Sequence, residues 1–255
     1  MVKRRTVLLG GAATAGALVI GWGVMPPRQR LHPANPLPAA PGHAALNGWV
    51  QVGTDNTVTV MMAKSEMGQG AHTGLAAILA EELDADWAQV RLQMTPIDDI
   101  YNNLATVVDG LPFHPDNDGS MKAVAGWLTA KTMREVGVMM TGGSSSIKDL
   151  WLPMREAGAH ARTMLIRAAA AQWGVQASEC TATAGWVEHS AGQRATFGEL
   201  AALAAQQPMP GKVTLKEPAQ FKLIGKPLTR IEAPSKLDGS AVFGIDANPP
   251  GLLHA

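Results

Sequence analysis

Apolar and polar residues alternate from Trp49 to Lys64 on both sides of Gly53-Thr54-Asp55-Asn56. That period and that turn predict a β-hairpin, with strands near 49–53 and 57–63. Leu75, Ile78, Leu79 and Leu83 then recur at steps of three and four, which predicts an amphipathic helix from about Ala71 to Asp86. The stretch Gln89–Ile97 reads as a third strand. From Asp98 to Gly119 the period is lost among Gly110, Pro112, Pro115 and several Asp and Asn, so a long loop is expected, of a length that is often functional. A helix from Ser120 to about Val136 follows, with Met121, Val124 and Leu128 as its apolar face. A second long helix is expected from about Lys148 to Trp173, ended by Gly174, with Pro153 fitting only in its first turn. The segment Ala195–Pro208 resembles one more short helix starting near Thr196 or Phe197. After Pro210 the texture turns to short strands and turns, at 211–216, 221–234 and 240–246. The pattern as a whole predicts an α+β fold, with helices packed on small mixed or antiparallel sheets and no internal repeat.

The ends of the chain change this picture. Lys3, Arg4 and Arg5 precede an uncharged run from Thr6 to Met25, the layout of an export signal over residues 1–25. The Arg4-Arg5 pair resembles a twin-arginine signal, although Lys3 and Val7 depart from its usual residues. An ordinary secretory signal or an uncleaved anchor remains open, since about 20 apolar residues span a bilayer. Twin-arginine export carries folded proteins, so a periplasmic protein that received a cofactor before export is expected, membrane-associated if the signal stays on. Six prolines between Pro26 and Pro41 read as an extended tether over residues 26–46.

Composition mainly excludes. The 255 residues are 46% hydrophobic and 16% charged, enough for one large core or two modest ones. Lys+Arg and Asp+Glu both number 21, so nothing suggests a nucleic-acid partner. The single cysteine, Cys180, offers no C-x-x-C pair to hold zinc or an iron–sulfur cluster, and it reads as inert.

Two glycine-rich helix starts carry the candidate chemistry. Gly68-Gln69-Gly70 opens the helix at Ala71, and Gly142-Gly143-Ser144-Ser145-Ser146 opens the helix at Lys148. A helix N-terminus offers unpaired N–H groups and partial positive charge, and glycine lets a ligand approach the backbone. Gln69 and the serines add donors that suit a phosphate or a polar ring edge. On spacing alone each start is more simply a plain cap or turn, and neither matches a Walker A loop. Ser145 and Lys148 also form S-x-x-K, the spacing of a serine–lysine acyl enzyme, without the accompanying S-D-N or K-T-G.

In order along the chain, NGWVQVGTDNTVTVMMAKSEMGQGAHTGLAAILAEELDADWAQVRL, YNN, MTGGSSSIKDLWLPMREAGAHARTMLIRAAAAQWGV and FKLIGKPLTRIEAPSKLDGSAVFGID resemble the molybdopterin-binding large subunit of molybdenum hydroxylases. The closest type is the isoquinoline 1-oxidoreductase beta subunit, within the xanthine dehydrogenase and aldehyde oxidase superfamily. The resemblance runs from about Asn47 to the last residue. It implies that residues 47–210 form part of a molybdopterin-binding domain and that 211–255 open a small α/β hammerhead-like domain. It also implies that Gly68, Gln69, Gly70, Gly142, Gly143, Ser144, Ser145 and Ser146 bind molybdopterin cytosine dinucleotide, whose own sulfurs hold the molybdenum. Such subunits hydroxylate an aldehyde or N-heterocycle with oxygen from water. The two electrons leave through a small iron–sulfur subunit to a cytochrome or other acceptor. The family's subunits are several-fold longer and carry their glutamate base near the far end, so no catalytic residue is expected in these 255, and the chain reads as an N-terminal fragment. A stand-alone cofactor- or subunit-binding module is the alternative.

The remaining polar residues have plainer readings. Glu66, beside the M-G-Q-G turn, is readable as an aid to the pocket but is more simply expected solvated at a strand end, and His72 and Thr73 lie in the first helical turn as caps or contacts. Glu81, Glu82, Asp84 and Asp86 are expected on an exposed helix face. His114 with Asp109, Asp116 and Asp118 marks a possible substrate entrance or calcium loop, and Trp127, Trp151 and Trp173 are expected in the core.

Overall fold

Asp55 closes the predicted hairpin through its carboxylate, which accepts from the Thr57 N–H at 2.9 Å and the Thr57 hydroxyl at 2.8 Å, while Asn56 takes φ 69°. The computed structural model describes residues 28–253 without a break, preceded by residues 4, 5, 11, 13, 14, 16, 17, 21–23 and 25. Much of the expected export signal therefore lies outside the described residues. Strands β1 (His43–Asn47), β2 (Val50–Gly53), β3 (Val58–Met62) and β4 (Val90–Met94) form one sheet in that order. The first two pairings are antiparallel and β3–β4 is parallel. A parallel pair needs a crossover, and helix α1 (Ala71–Leu83) supplies it. Strand β1 has no polar alternation in Ala44-Ala45-Leu46, which is why the period did not announce it. Leu31 and Leu37, in the proline-rich stretch, are buried beside it.

After the short helix α2 (Ala105–Asp109) comes α3 (Ser120–Val136). Its bounds match expectation and its buried face does not. Met121, Val124 and Leu128 are 75%, 64% and 44% exposed, and Trp127 is exposed too, whereas Lys131 and Arg134 are buried. The cations turn inward because main-chain carbonyls of the preceding segment await them. The Lys131 ammonium donates to the Trp22 and Met25 carbonyls, and Arg134 donates to the Gln29 carbonyl at 2.9 Å.

Helix α4 (Ser146–Trp173) starts two residues before the expected Lys148, and Pro153 is its eighth residue rather than part of its first turn. A proline there leaves the carbonyl four residues earlier without its helical donor. That carbonyl belongs to Asp149, and Arg30 Nη1 donates to it at 3.2 Å. The interior proline is tolerated because its orphan has another partner. Helices α1 and α4 pack side by side and run parallel. Gly74 meets Ile147 near both starts, and Gly158 meets Leu79 and Leu83 farther along. With the sheet they enclose the core, in which Trp49 and Tyr101 meet edge to face at 4.9 Å.

Three short strands were not foreseen. β5 (Cys180–Thr183), β6 (Trp186–His189) and β7 (Arg194–Thr196) make an antiparallel meander of three to four residues each, too short to show a period. Cys180 is buried in it. Helix α5 (Phe197–Ala204) is capped by Thr196, with Glu199 closing a capping box. The strands expected after Pro210 do not form among the described residues. That segment is a strap with two short 3-10 turns and one small helix, α6 (Ala233–Leu237). Its N–H groups explain the difference: those of Lys222, Leu223 and Ile224 all donate to the Glu81 carboxylate instead of a neighbouring strand. The architecture is α+β, helices on small sheets.

Candidate functional site

The turn from Ser65 to Gly70 leads from the sheet into α1. Gly68 and Gly70 have φ 99° and 76°, a region other residues enter only with strain, and a side chain built on either would meet open space. Gln69 is folded back on the turn, its amide donating to the Ser65 carbonyl at 2.8 Å and accepting from the Met67 N–H at 2.5 Å. The N–H groups expected to face a ligand already have one acceptor. Glu66, far from solvated, accepts from the N–H of Gly68, Gly70 and His72 at 2.9, 2.9 and 3.0 Å, and from Arg230 Nη2 at 2.9 Å. Burial raises its pKa, but these donors outweigh it and hold the carboxyl below its ordinary value. His72 points inward, its Nε2 2.8 Å from the Lys64 carbonyl oxygen, and Thr73 Oγ1 accepts from the Ile231 N–H at 2.9 Å.

The second start is built differently. Gly143 and Ser144 both take left-handed backbone, φ 61° and 51°, and both are exposed. For a serine that conformation costs about 1–2 kcal/mol. Ser145 is buried with its hydroxyl fully engaged: it donates to the Gly142 carbonyl at 2.7 Å, accepts from Asn103 Nδ2 at 2.7 Å and lies 2.8 Å from Thr106 Oγ1. Lys148 turns away to pair with Asp109. The serine–lysine acyl reading fails on this geometry, since the hydroxyl is inaccessible and the ammonium is occupied elsewhere.

The parallel packing of α1 and α4 brings both glycine-rich starts to one end of the pair, and three contacts fix them there. Ser65 N–H donates to Thr141 Oγ1 at 2.8 Å, and Lys64 Nζ donates to the Met140 carbonyl at 3.3 Å. Lys64 also pairs with Asp149 at 3.1 Å, in the first turn of α4. Asp149 is buried and further receives Arg30 at 3.3 Å and the N–H groups of Leu104 and Ala105 at 2.9 and 3.2 Å. Burial raises its pKa, and Arg30 with Lys64 outweighs that to hold it below the ordinary carboxylate range. Burial pushes the Lys64 ammonium down against the same carboxylate. Between the two starts and the strap lies a cleft of about 400 Å³, lined among others by Gly70, Gly74, Ile147, Trp151 and Arg230.

These residues suit a polar group lying across the outside of the two turns, with Gly68, Gln69, Gly143 and Ser144 exposed, Gly70, Gly142 and Ser146 half-buried, and Ser145 behind them as support. Several key residues were misread or missed from sequence. Glu81 and Glu82 are buried, binding the strap through Lys216 and main-chain N–H groups. Lys64, Asp149 and Arg30 carried no motif. Their only signal was charge in apolar surroundings, as in the Met61-Met62-Ala63-Lys64 strand end. Asp116 and Asp118 are exposed, and among the described residues no group of His, Cys, Asp or Glu is arranged to hold a metal ion.

Residues 10–107 match the model of a molybdopterin cofactor-binding domain. Isoquinoline 1-oxidoreductase subunit beta of Brevundimonas diminuta is 30% identical over 254 aligned residues, covering 85% of this chain and 29% of that protein. The membrane-bound aldehyde dehydrogenase [pyrroloquinoline-quinone] of Gluconacetobacter polyoxogenes is 30% identical over 222 residues, covering 84% and 24%. The crystal structure of quinoline 2-oxidoreductase from Pseudomonas putida 86 superposes with a TM-score of 0.37 at 16% identity, over 62% of this chain and 16% of that one. The chain is a homologue of molybdopterin-binding subunits of molybdenum oxidoreductases, with isoquinoline 1-oxidoreductase subunit beta among its relatives. It spans less than a third of the length of the two curated relatives.

Proposed function

We propose that this chain is the part of an exported molybdenum hydroxylase that lies against the pterin cofactor, in its cytosine dinucleotide form. When bound, that group supplies metal-centred oxygen transfer and takes up two electrons. The observation that carries the reading is the parallel pairing of α1 and α4, which sets Gly68-Gln69-Gly70 beside Gly142–Ser146 at one end, in a chain homologous to cofactor-binding subunits. The turns offer close backbone approach from outside, Gln69 and Ser144 offer polar contacts, and the buried Lys64–Asp149–Arg30 group keeps the two turns in register.

The substrate class is an aldehyde or an N-heterocyclic aromatic, hydroxylated with oxygen from water. The buried carboxylates Glu66, Glu81, Glu82 and Asp149 are each held by cations and N–H groups, so none of these four serves as the proton-accepting base. Electrons pass to a small iron–sulfur subunit and then to a cytochrome or other acceptor. Residues 1–25 direct twin-arginine export to the periplasm, with membrane association if they are retained. Tagging the protein in place in its native host tests this. Molybdenum and cytidine monophosphate should copurify in equal amount from the periplasmic or envelope fraction, and heavy oxygen from labelled water should enter the oxidised product. A purified protein with neither molybdenum nor pterin overturns the reading.

A further inference from the structure

Glu66 is built into the cofactor-facing turn in a way no helix cap requires. Its Oε1 accepts from the N–H of both Gly68 and Gly70, its Oε2 accepts from His72 N–H, and Arg230 from the strap closes the set. Arg230 also donates to the Gly68 carbonyl at 3.3 Å and pairs with Glu232 at 2.5 Å, while Ile231 N–H bonds Thr73. One carboxylate thus holds three amides of a turn whose two glycines are in left-handed backbone, and a residue more than 160 positions away holds the carboxylate. A free M-G-Q-G turn would sample many shapes, because glycine populates both signs of φ.

We propose that Glu66 is a positioning residue for the cofactor site: it fixes the M-G-Q-G turn in the shape that presents Gly68, Gln69 and Gly70 outward, and Arg230 clasps it there from the strap. The inference rests on the functional reading above and adds the device that prepares the surface. Binding to a turn already in shape avoids the entropy of ordering it.

Amide hydrogen exchange on the full chain, resolved at single residues, tests the idea independently of activity. Glu66→Gln keeps a carbonyl oxygen for Gly68 and Gly70 but puts an NH2 group where His72 needs an acceptor. Exchange at His72 should therefore rise at least about tenfold, as expected for losing a charge-assisted hydrogen bond, with a smaller rise at the two glycines and none at Val60 in the sheet. Glu66→Leu should release all three, and Arg230→Met should release them partly. Molybdenum per chain in material from the native host should fall in the order wild type, Gln, Leu. Unchanged exchange at Gly68, Gly70 and His72 in the Leu variant overturns the proposal, as does full molybdenum content in that variant. A general loss of protection that includes Val60 also overturns it, since Glu66 would then hold the fold rather than the turn. Wild-type protein free of molybdenum, with the local exchange pattern as expected, would instead defeat the functional reading and leave Glu66 as holder of the turn alone.

Discussion

Gly158 and Gly126 are both interior helix glycines, and the structure assigns their replacement by alanine opposite signs. At Gly158 the new methyl would press into the Leu79 carbonyl, 2.9 Å from Glu82 Cβ and 3.1 Å from Leu83 N. Ordinary carbon contacts lie near 3.5–4.0 Å, and the obstacles are mainly main chain of α1, so the helices must part. Overpacking of this kind costs about 3 kcal/mol at the upper end of its usual range, and the better helix propensity of alanine returns about 1 kcal/mol. The net loss is about 2 kcal/mol, which for an m-value of about 2 kcal/mol/M moves the urea midpoint down by about 1 M. At Gly126 the nearest atom is Val108 Cγ1 at 3.5 Å, an ordinary contact. There only the propensity gain of about 0.5–1 kcal/mol remains, raising the midpoint slightly. Equilibrium urea unfolding followed by circular dichroism, with m checked for constancy, reads both. If Gly158→Ala proves as stable as the parent, the close parallel contact of α1 and α4 is wrong, and with it the placing of the two glycine-rich starts side by side.

Asp149→Asn leaves Lys64 buried without its charge partner and should cost about 3–5 kcal/mol, seen as a large fall in melting temperature. The folded pKa values of Asp149 and Glu81 are depressed, so their stabilisation is fully present above the ordinary carboxylate range and is lost as pH falls through the folded values; acid unfolding should be less steep in the Asn variant. Ser144→Gly removes left-handed strain, partly offset by glycine's backbone entropy, and should raise stability by up to about 1 kcal/mol in a calorimetric scan; no gain would mean that the turn is unstrained. Glu81→Leu should free the strap, so that trypsin cuts at Lys216 or Lys222 at least about tenfold faster while cleavage at Arg91 is unchanged.

Where period governs, the chain was legible. The β2–β3 hairpin, α1, β4 and the bounds of α3 all fall where alternation or three-and-four spacing put them, although α3 turns its apolar residues outward and the hairpin strands are buried on both faces. The glycine-rich starts were legible as motifs because backbone shape selects glycine there. What escaped was decided between distant residues. Glu81 and Glu82 look like a solvated helix face until the strap delivers Lys216 and a run of N–H groups to them. Glu66 looks like a strand end until Arg230 arrives, and Pro153 looks forbidden until Arg30 takes the Asp149 carbonyl. Charge buried by a remote partner leaves no local period, so no local reading finds it.

The grip of Glu81 on the strap has a corollary for how this protein can vary. Its carboxylate binds the main-chain N–H groups of Lys222, Leu223 and Ile224, which nearly every amino acid carries. That grip places no demand on the side chains of the stretch, so long as Glu81 stays acidic, and only the packing of Leu223 and Ile224 on the core restricts what stands there. Proline alone, having no N–H to offer, should be shut out of all three positions.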